Sequence, residues 1–303
     1  MDPRKLCALY GLSTLQKAVP LQPGTASQVW RLATAQGVFL ARTLPGPEQG
    51  AREWAVFCHL RAQGFARTPA ILPTLAGGAA AEVDGAWFQL QRFCPGARPD
   101  PARPGVPGAM ARLGLELAQA LSDCPAVAAP ADPFDLGAVW GRYRGSWPQL
   151  SLPLSQEEAD RAVARCRALP EEGRQMIHGD LGPWNLIAAP EGGLLVIDFG
   201  QARLGDPYFD LASLLAGAVN HAPPALRRQV AGEFLAQYRA ALPLDLPRLR
   251  GQLELWAWRG LAQCLRSPAA WRQMAGRFYS TLAWAGRLGD APPGSAGQAE
   301  EAW

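Results

Sequence analysis

The stretch that decides the fold is QMIHGDLGPWNLI, from Gln175 to Ile187, in which a short apolar run ends in a polar loop. The chain has only three histidines and two asparagines, yet His178 and Asn185 both lie here, on either side of Asp180. Taken alone, such a loop is typical of a turn that caps a strand. A second element is needed before these polar groups indicate a chemical site.

That second element is VIDFG, which ends another apolar run and carries Asp198. The residues between the two elements predict a hairpin that turns at Glu191, Gly192 and Gly193. Two polar loops therefore follow strand ends in a fixed order, one hairpin apart. This order separates the pair from an isolated chance match to either motif.

The combined pattern is typical of phosphoryl transfer to a hydroxyl group. The transferring phosphoryl group carries negative charge, and Mg²⁺ is held near it by carboxylate and amide oxygens. We therefore expect Asn185 and Asp198 to bind Mg²⁺, and Asp180 to be the base that takes the proton of the acceptor hydroxyl. We expect His178 to support the loop through hydrogen bonds, because this chemistry needs little proton transfer beyond the base.

The first part of the chain predicts a small sheet with one helix. QVWRLAT and GVFLARTL predict one hairpin, and AEVDGAWFQLQRF predicts another that turns at Asp84 and Gly85. Between them, residues 48–63 have apolar residues at helical spacing, which gives the order β-β-α-β-β. The stretch from Cys94 to Gly108 is so rich in Pro and Gly that it interrupts helix and strand. We place the lobe boundary there, with a nucleotide-binding N-lobe at residues 1–94.

The C-lobe, residues 95–290, is predicted to be mainly helical and to carry the catalytic loop and the acceptor-binding helices. Helical segments are predicted at 109–122, 134–147 and 155–169, followed by four more between residues 207 and 288. Ser155 and Glu158 have the spacing of a capping box. Residues 291–303 have the composition of a linker, and we predict that they are disordered. The predicted fold class is α+β.

Three features upstream suit a nucleotide. Gly24, Thr25 and Ser27 precede a strand in a loop whose N–H and hydroxyl groups could cover phosphates, although a plain hairpin turn is the alternative. Arg42 lies on the next strand, where a cation could pair with phosphates, and Glu53 on the helix could hold that cation by an ion pair. The alternatives are a solvated strand residue and a surface helix residue.

With HGDLGPWNL, VIDFG and GDPYFDLA in place, the chain resembles the aminoglycoside phosphotransferase and choline kinase family of small-molecule kinases over nearly its whole length. The resemblance implies a two-lobed protein-kinase-like fold, ATP and Mg²⁺ as cofactors, and a small hydroxylated molecule as the acceptor. It also implies that Asp210 braces the catalytic loop and that the backbone at Arg92 and Cys94 binds adenine. The chain departs from the family at Arg42, where Lys is more usual, and the two side chains bind phosphate differently.

The charges of the C-terminal part bear on the acceptor. Between residues 211 and 289, ten arginines stand against three acidic residues, Glu233, Asp245 and Glu254. A polycationic aminoglycoside requires carboxylates, so we expect a neutral or anionic acceptor such as a homoserine-like amino acid or a sugar derivative.

Three alternatives stay open. An aminoglycoside or related antibiotic is an alternative acceptor. A catalytically weak nucleotide-binding pseudokinase or scaffold is an alternative of another class. A protein kinase is disfavoured, because only a few residues separate Gly200 from the GDPYFD segment, which leaves no room for a long activation loop.

Composition excludes several other classes. The net charge of +3 is small and the basic residues form no single run, so we expect no nucleic-acid partner. No stretch predicts a signal peptide or a membrane span, so we expect a cytoplasmic protein with no membrane partner. The six cysteines are scattered without a Cys-x-x-Cys pair and are expected to be free thiols. The sequence does not indicate the oligomeric state.

Overall fold

The computed structural model describes residues 1–21, 27–125, 132, 134–170 and 173–288. Within these ranges the chain forms nine α-helices, namely α1 (Pro3–Leu9), α2 (Pro47–Ala62), α3 (Val106–Ala120), α4 (Leu136–Tyr143), α5 (Gln156–Arg167), α6 (Pro207–His221), α7 (Arg227–Ala241), α8 (Leu246–Cys264) and α9 (Pro268–Ala285). The same residues form nine strands, namely β1 (Leu15–Pro20), β2 (Val29–Thr34), β3 (Gly37–Leu44), β4 (Ala81–Val83), β5 (Ala86–Arg92), β6 (Gln175–Ile177), β7 (Leu186–Ala188), β8 (Leu194–Val196) and β9 (Arg203–Gly205). The predicted phosphate-loop residues Gly24 and Thr25 and the predicted tail at 291–303 lie outside the described residues.

The described residues group into two compact units. The first draws on the ranges Met1–Arg98, Cys124–Ala128 and Asn185–Ala202, and the second on Pro99–Asp123, Ala129–Trp184 and Arg203–Trp303. The first contains a five-stranded antiparallel sheet, and the second is mainly helical. The α+β fold class predicted from the sequence is therefore confirmed.

The sheet of the first unit has the strand order β1-β2-β3-β5-β4. Both predicted hairpins are present, and Asp84 and Gly85 turn the second with φ angles of 52° and 77°. Apolar side chains from α1 and the strands form one buried cluster that includes Leu6, Leu32, Ala41, Phe88 and Leu90. The sheet is thus anchored to the segment that precedes it.

The predicted order β-β-α-β-β with a single helix is incomplete, because the unit also contains α1 and β1. The short helix α1 begins after Asp2, whose carboxylate accepts the N–H of Arg4 at 2.9 Å, and it buries Leu6 and Cys7. The strand β1 lies at the sheet edge with no fully buried residue, so its sequence shows no apolar alternation.

Two elements of this unit place charged side chains in the interior. On β3, Phe39 and Ala41 share one face, and Arg42 lies on the other because successive strand side chains alternate. On α2, the buried positions Glu53, Val56 and Leu60 follow helical spacing. The charged residue of each element therefore lies on a buried face.

The second unit is built around α6, in which every residue from Phe209 to Val219 is buried. Helix α6 packs against α3, α7 and α8, and α8 also packs against α4, α5 and α9. Trp140, Trp147 and Trp258 lie within 6.0 Å of one another, between ring centroids, in the core of this unit. Across the described part of the chain, no helix combines the length and apolarity needed to cross a membrane.

Helix starts in this unit follow their sequence signals, with one exception. The capping box at α5 is confirmed, since Ser155 Oγ accepts the N–H of Glu158 and the Glu158 side chain accepts the N–H of Ser155. By contrast, α3 begins at Val106, inside the Pro-rich stretch that we expected to hold no helix. Pro107 lies in the first turn, where its missing N–H is not needed.

Candidate active site

In the first unit, the predicted hairpin brings two oxygen-bearing side chains to one end. Asn185 precedes β7 and Asp198 follows β8; these strands pair antiparallel, and the N–H of Ile197 donates to the carbonyl of Asn185 at 3.0 Å. The Asp198 side chain is 53% exposed. A carboxylate and an amide oxygen suit Mg²⁺, which keeps several water or phosphate ligands of its own. Among the residues that the structure describes, no cluster of three His, Cys, Asp or Glu side chains could hold a metal ion.

The backbone of Asp198 is in the left-handed region, with φ of 66°. This conformation is uncommon for a residue with a side chain, and residues that adopt it occur in turns and cluster at functional sites. Its carboxylate accepts the N–H of Gly200 at 3.3 Å, which stabilises the turn. A Cβ on Gly200 would lie 3.0 Å from Gln49 Nε2 on α2, so glycine permits this close approach.

Arg42 is the centre of an ion-pair network in the first unit. Its guanidinium contacts the carboxylate of Glu53, and it donates to Asp198 Oδ1 at 3.2 Å and to Gln89 Oε1 at 3.1 Å. Arg42 and Glu53 are buried. Arg42 is therefore not a solvated strand residue, and Glu53 is not a surface helix residue, which were the alternatives to an ion pair. Burial lowers the pKa of Arg42, while the nearby Asp198 opposes that shift. A guanidinium remains charged in such a setting, so the network presents a fixed cation beside Asp198.

The remaining nucleotide residues of the first unit are less constrained. Ser27 is partly buried and lies just before β2. The N–H of Arg92 donates to the carbonyl of Ala70 at 2.8 Å, so only the carbonyl of Arg92 is left for adenine. Cys94 is partly buried, and burial raises the pKa of its thiol. The roles predicted for these residues stay predictions.

In the second unit, the catalytic loop follows β6 and is held by Asp210 in the first turn of α6. The two carboxylate oxygens accept the N–H of His178 at 2.6 Å and the N–H of Gly179 at 2.8 Å. The fully buried His178 accepts the N–H of Asp180 at its Nδ1, at 3.3 Å. Burial raises the pKa of Asp210, and these N–H donors together with Arg203 oppose the shift. The arrangement fits the bracing role that the resemblance implies for Asp210.

Arg203 holds the same loop from another side. Its Nη1 donates to the carbonyl of Gly179 at 3.0 Å, and its guanidinium lies 4.7 Å from the centroid of the Phe209 ring. Its Nε lies 3.6 Å from Asp132, which also binds Arg259 at 2.6 Å. The loop is therefore tied to α8 through one partly buried carboxylate.

The charge state of Arg203 follows from these neighbours. Burial and the nearby Arg259 lower the pKa of Arg203 to about 10, while the carboxylates of Asp132, Asp210 and Asp180 oppose the shift. Arg203 is therefore still a cation at neutral pH, and its positive charge lies close to the predicted base.

Trp184 lies four residues after the predicted base and contacts it directly. Its indole N–H donates to Asp180 Oδ1 at 3.3 Å. Its ring stacks on Trp256 with centroids 6.5 Å apart and planes at 20°. Asp180 itself is partly buried.

A sequence model of the phosphotransferase enzyme family matches residues 17–256. The chain belongs to this family. The match begins within β1 and ends within α8, and it includes each motif residue from Arg42 to Asp210. The family suggested by HGDLGPWNL and VIDFG is therefore confirmed, and so is the enzyme class, a phosphotransferase. A search of curated proteins found no match.

Solved structures with the same fold include three small-molecule phosphotransferases. The amicoumacin kinase hAmiN, solved with AMP-PNP, Ca²⁺ and Ami, has a TM-score of 0.69 and 14% identity, and the match covers 93% of this chain and 92% of that one. A microcompartment-associated aminopropanol kinase has a TM-score of 0.68 and 16% identity, with coverage of 94% and 96%. An aminoglycoside phosphotransferase from Alicyclobacillus acidocaldarius has a TM-score of 0.63 and 17% identity, with coverage of 95% and 96%. At these identities the likeness shows the fold.

Sequence reasoning did not single out several residues that contact the predicted site in this phosphotransferase. Gln89 lies directly opposite Arg42 in the pairing of β3 with β5, and its buried Nε2 has no partner within the described structure. That pairing joins strands that are separated in the sequence by α2 and β4, so no turn fixes its register. Arg203 and Asp132 also gave no signal, because their contacts join segments far apart in the sequence.

Proposed function

We propose that this phosphotransferase moves the γ-phosphoryl group of ATP to a hydroxyl group of a small molecule, with Mg²⁺ bound by Asn185 and Asp198. The observation that carries the proposal is the hairpin of β7 and β8, which brings Asn185 and Asp198 to one end, where the Asp198 carboxylate contacts the buried cation Arg42. Mg²⁺ at these oxygens would neutralise phosphate charge as the transfer proceeds.

Asp180 is the general base of the proposed reaction. As the acceptor oxygen forms its bond to the γ-phosphorus, the hydroxyl proton passes to the Asp180 carboxylate, and the bond to the β-phosphate oxygen breaks with its electron pair leaving on ADP. Asp210 and Arg203 hold the loop that carries Asp180 through the backbone of His178 and Gly179.

The first unit binds the nucleotide in this proposal. Arg42, held by Glu53, pairs with the phosphates, and Gly24, Thr25 and Ser27 supply N–H and hydroxyl groups to them. The carbonyl of Arg92 and the backbone of Cys94 take the adenine. The N–H of Arg92 already donates to the carbonyl of Ala70, which is consistent with a role for the Arg92 carbonyl alone.

The acceptor is proposed to be neutral or anionic, such as a homoserine-like amino acid or a sugar derivative. Two of the three acidic residues in the C-terminal helices have structural partners. Glu233 accepts the N–H of Gly108 at 3.3 Å, and Asp245 caps α8 by accepting the N–H of Arg248 at 3.0 Å. Few carboxylates are then left for clustered ammonium groups, which need them for binding.

The alternative acceptor is an aminoglycoside or related antibiotic. It is favoured by the names of structures with the same fold, which include the aminoglycoside phosphotransferase and the amicoumacin kinase. A scaffold that binds nucleotide without transferring phosphate is the alternative of another class, and the Arg at position 42 is the feature that favours it.

A panel of acceptors tested with ATP and Mg²⁺ distinguishes these possibilities. We expect ADP release to rise with a hydroxylated amino acid, amino alcohol or sugar derivative, and the phosphorylated product to appear by mass spectrometry. Efficient turnover of aminoglycosides alone would overturn the acceptor assignment. Thermal stabilisation by ATP with Mg²⁺, without transfer to any acceptor or to water, would favour the scaffold. Asp180→Ala serves as the inactive control.

A further inference from the structure

We propose that Trp184 is a positioning residue that fixes the carboxylate of Asp180 for proton transfer. The inference rests on the proposed function, in which Asp180 is the base. The contact is a hydrogen bond of 3.3 Å from the indole N–H of Trp184 to Asp180 Oδ1. A donor to one oxygen restricts rotation of the carboxylate about its bond to Cβ, so the base is oriented before an acceptor arrives.

The indole is itself clamped by glycine backbone on two sides. A Cβ on Gly182 would lie 2.3 Å from the Trp184 ring, and one on Gly217 would lie 3.0 Å from it and 2.4 Å from Pro183 Cδ. Real Cβ atoms are not found at such distances, so both positions need glycine for the ring to lie where it does. The sequence around the base is therefore adapted to the indole.

Aromatic neighbours complete the clamp. Trp256 stacks on Trp184, and Phe278 meets Trp256 edge to face with ring centroids 4.9 Å apart. The His221 ring lies 5.9 Å from the Trp184 ring, and its Nδ1 is hydrogen-bonded to the carbonyl of Gly217 at 2.8 Å. The aromatic pairs stabilise one ring orientation. The N–H consequently points at Asp180 as a fixed donor and has little freedom to turn away.

The first test removes the N–H by Trp184→Phe, with Trp271→Phe on the exposed side of α9 as the matched control. With the best acceptor of the panel, we expect kcat to fall about tenfold while KM for ATP stays unchanged, since only part of the general-base contribution is lost. The acid limb of the kcat profile should move to higher pH, because the ionised carboxylate loses a donor. Trp271→Phe should match the wild type in all three respects. A Trp184→Phe enzyme with wild-type kcat and pH profile would overturn the inference.

A second variant displaces the indole without removing it. Gly217→Ala pushes a methyl group against Pro183 and Trp184, whereas Gly232→Ala on α7 meets no atom within 4 Å. We expect the first to lower kcat with the same shift in the acid limb, and the second to leave kcat unchanged. Equal kcat values and pH profiles in the two variants would contradict the clamp.

A spectroscopic comparison needs no acceptor. In ¹⁵N-labelled protein, the Trp184 indole resonance is identified by its loss in Trp184→Phe and then compared between the wild type and Asp180→Asn. We expect an upfield shift of its proton in Asp180→Asn, because a neutral amide accepts a weaker hydrogen bond than a carboxylate. An unchanged resonance would overturn the contact even if the enzyme is active. If the expected upfield shift is observed but no acceptor is phosphorylated, the contact stands and the proposed function is overturned instead.

Discussion

The two units hold their reactive groups by different kinds of bond. In the first unit, the side chain of Arg42 joins Glu53 and Asp198, which are 11 and 156 positions away in the sequence. In the second unit, Asp210 grips the backbone N–H groups of His178 and Gly179. The network around Arg42 depends on the length and shape of each side chain in it. The bonds to the backbone N–H groups depend on one carboxylate, that of Asp210. Arg42, beside the proposed metal ligand Asp198, is therefore sensitive to conservative substitution, and the loop that carries Asp180 is sensitive to loss of Asp210.

The largest expected effect is a loss of activity, and it distinguishes Asp180 of the second unit from Asp198 of the first. Asp180→Ala should lower kcat by about 10³-fold, because the general base is lost, and should leave nucleotide binding largely intact. Asp198→Ala should also weaken Mg²⁺-dependent nucleotide binding, because a proposed metal ligand is lost. Steady-state kinetics and titration calorimetry with ATP check both variants. Wild-type turnover by Asp180→Ala would rule out the base assignment.

The next effect tests the backbone grip. Asp210→Ala should lower the free energy of unfolding by about 3 kcal/mol, because two buried N–H groups lose their acceptors and Arg203 loses a nearby carboxylate. Urea unfolding measures the change. Asp135→Ala, which removes only the helix cap of α4, is the control and should cost about 1 kcal/mol. Equal costs in the two variants would show that Asp210 is an ordinary cap.

A smaller effect tests the side-chain network. Arg42→Lys keeps the charge but should lower the free energy of unfolding by about 1 kcal/mol, since one ammonium cannot reach Glu53, Gln89 and Asp198 together. Arg31→Lys, at an exposed position over the Phe93 ring, is the matched control and should stay within about 0.5 kcal/mol of the wild type. An unchanged free energy of unfolding in Arg42→Lys would mean that a positive charge at position 42 is enough and that the three separate contacts of the guanidinium are not needed.

The smallest effect concerns pH and Asp132. Burial raises the pKa of Asp132, but Arg259 and Arg203 outweigh it, so its pKa lies below the ordinary value. A lowered pKa in the folded state contributes stability that is present above the unfolded pKa of about 3.9 and is lost as the pH falls through the folded value. The Tm of the wild type should therefore exceed that of Asp132→Asn at pH 6, and the gap should close in acid below about pH 3.9. A gap that is constant with pH would contradict the ion pairs of Asp132.

Most elements with a strong local signal were predictable from the sequence. The turn at Asp84 and Gly85, the capping box at Ser155 and the hairpin of β7 and β8 follow from turn and cap chemistry that acts over a few residues. The missed elements lack such a signal. The strand β1 is an exposed edge strand, and α1 is a short helix stabilised by a cap and by packing of Leu6 against the sheet.

The residues of the candidate site also fall into a group that was predictable from the sequence and a group that was not. Asp180, Asn185 and Asp198 could be singled out because their spacing is set by one loop and one hairpin. Gln89, Arg203 and Asp132 could not, since each is assigned by a partner from another segment. The orientation of Trp184 depends in the same way on Trp256, which stacks on it from α8.

By itself, the sequence determined the fold class and the family and singled out the residues proposed to carry the chemistry, because these depend on local spacing and on motif order. The tertiary structure decided that Arg42 is a buried cation with three partners and that Asp210 bonds to backbone N–H groups. It also decided that the indole of Trp184 points at Asp180. Asp198, Asp210 and Trp256, which set these features, come from segments distant in the sequence, and no local pattern encodes their contacts.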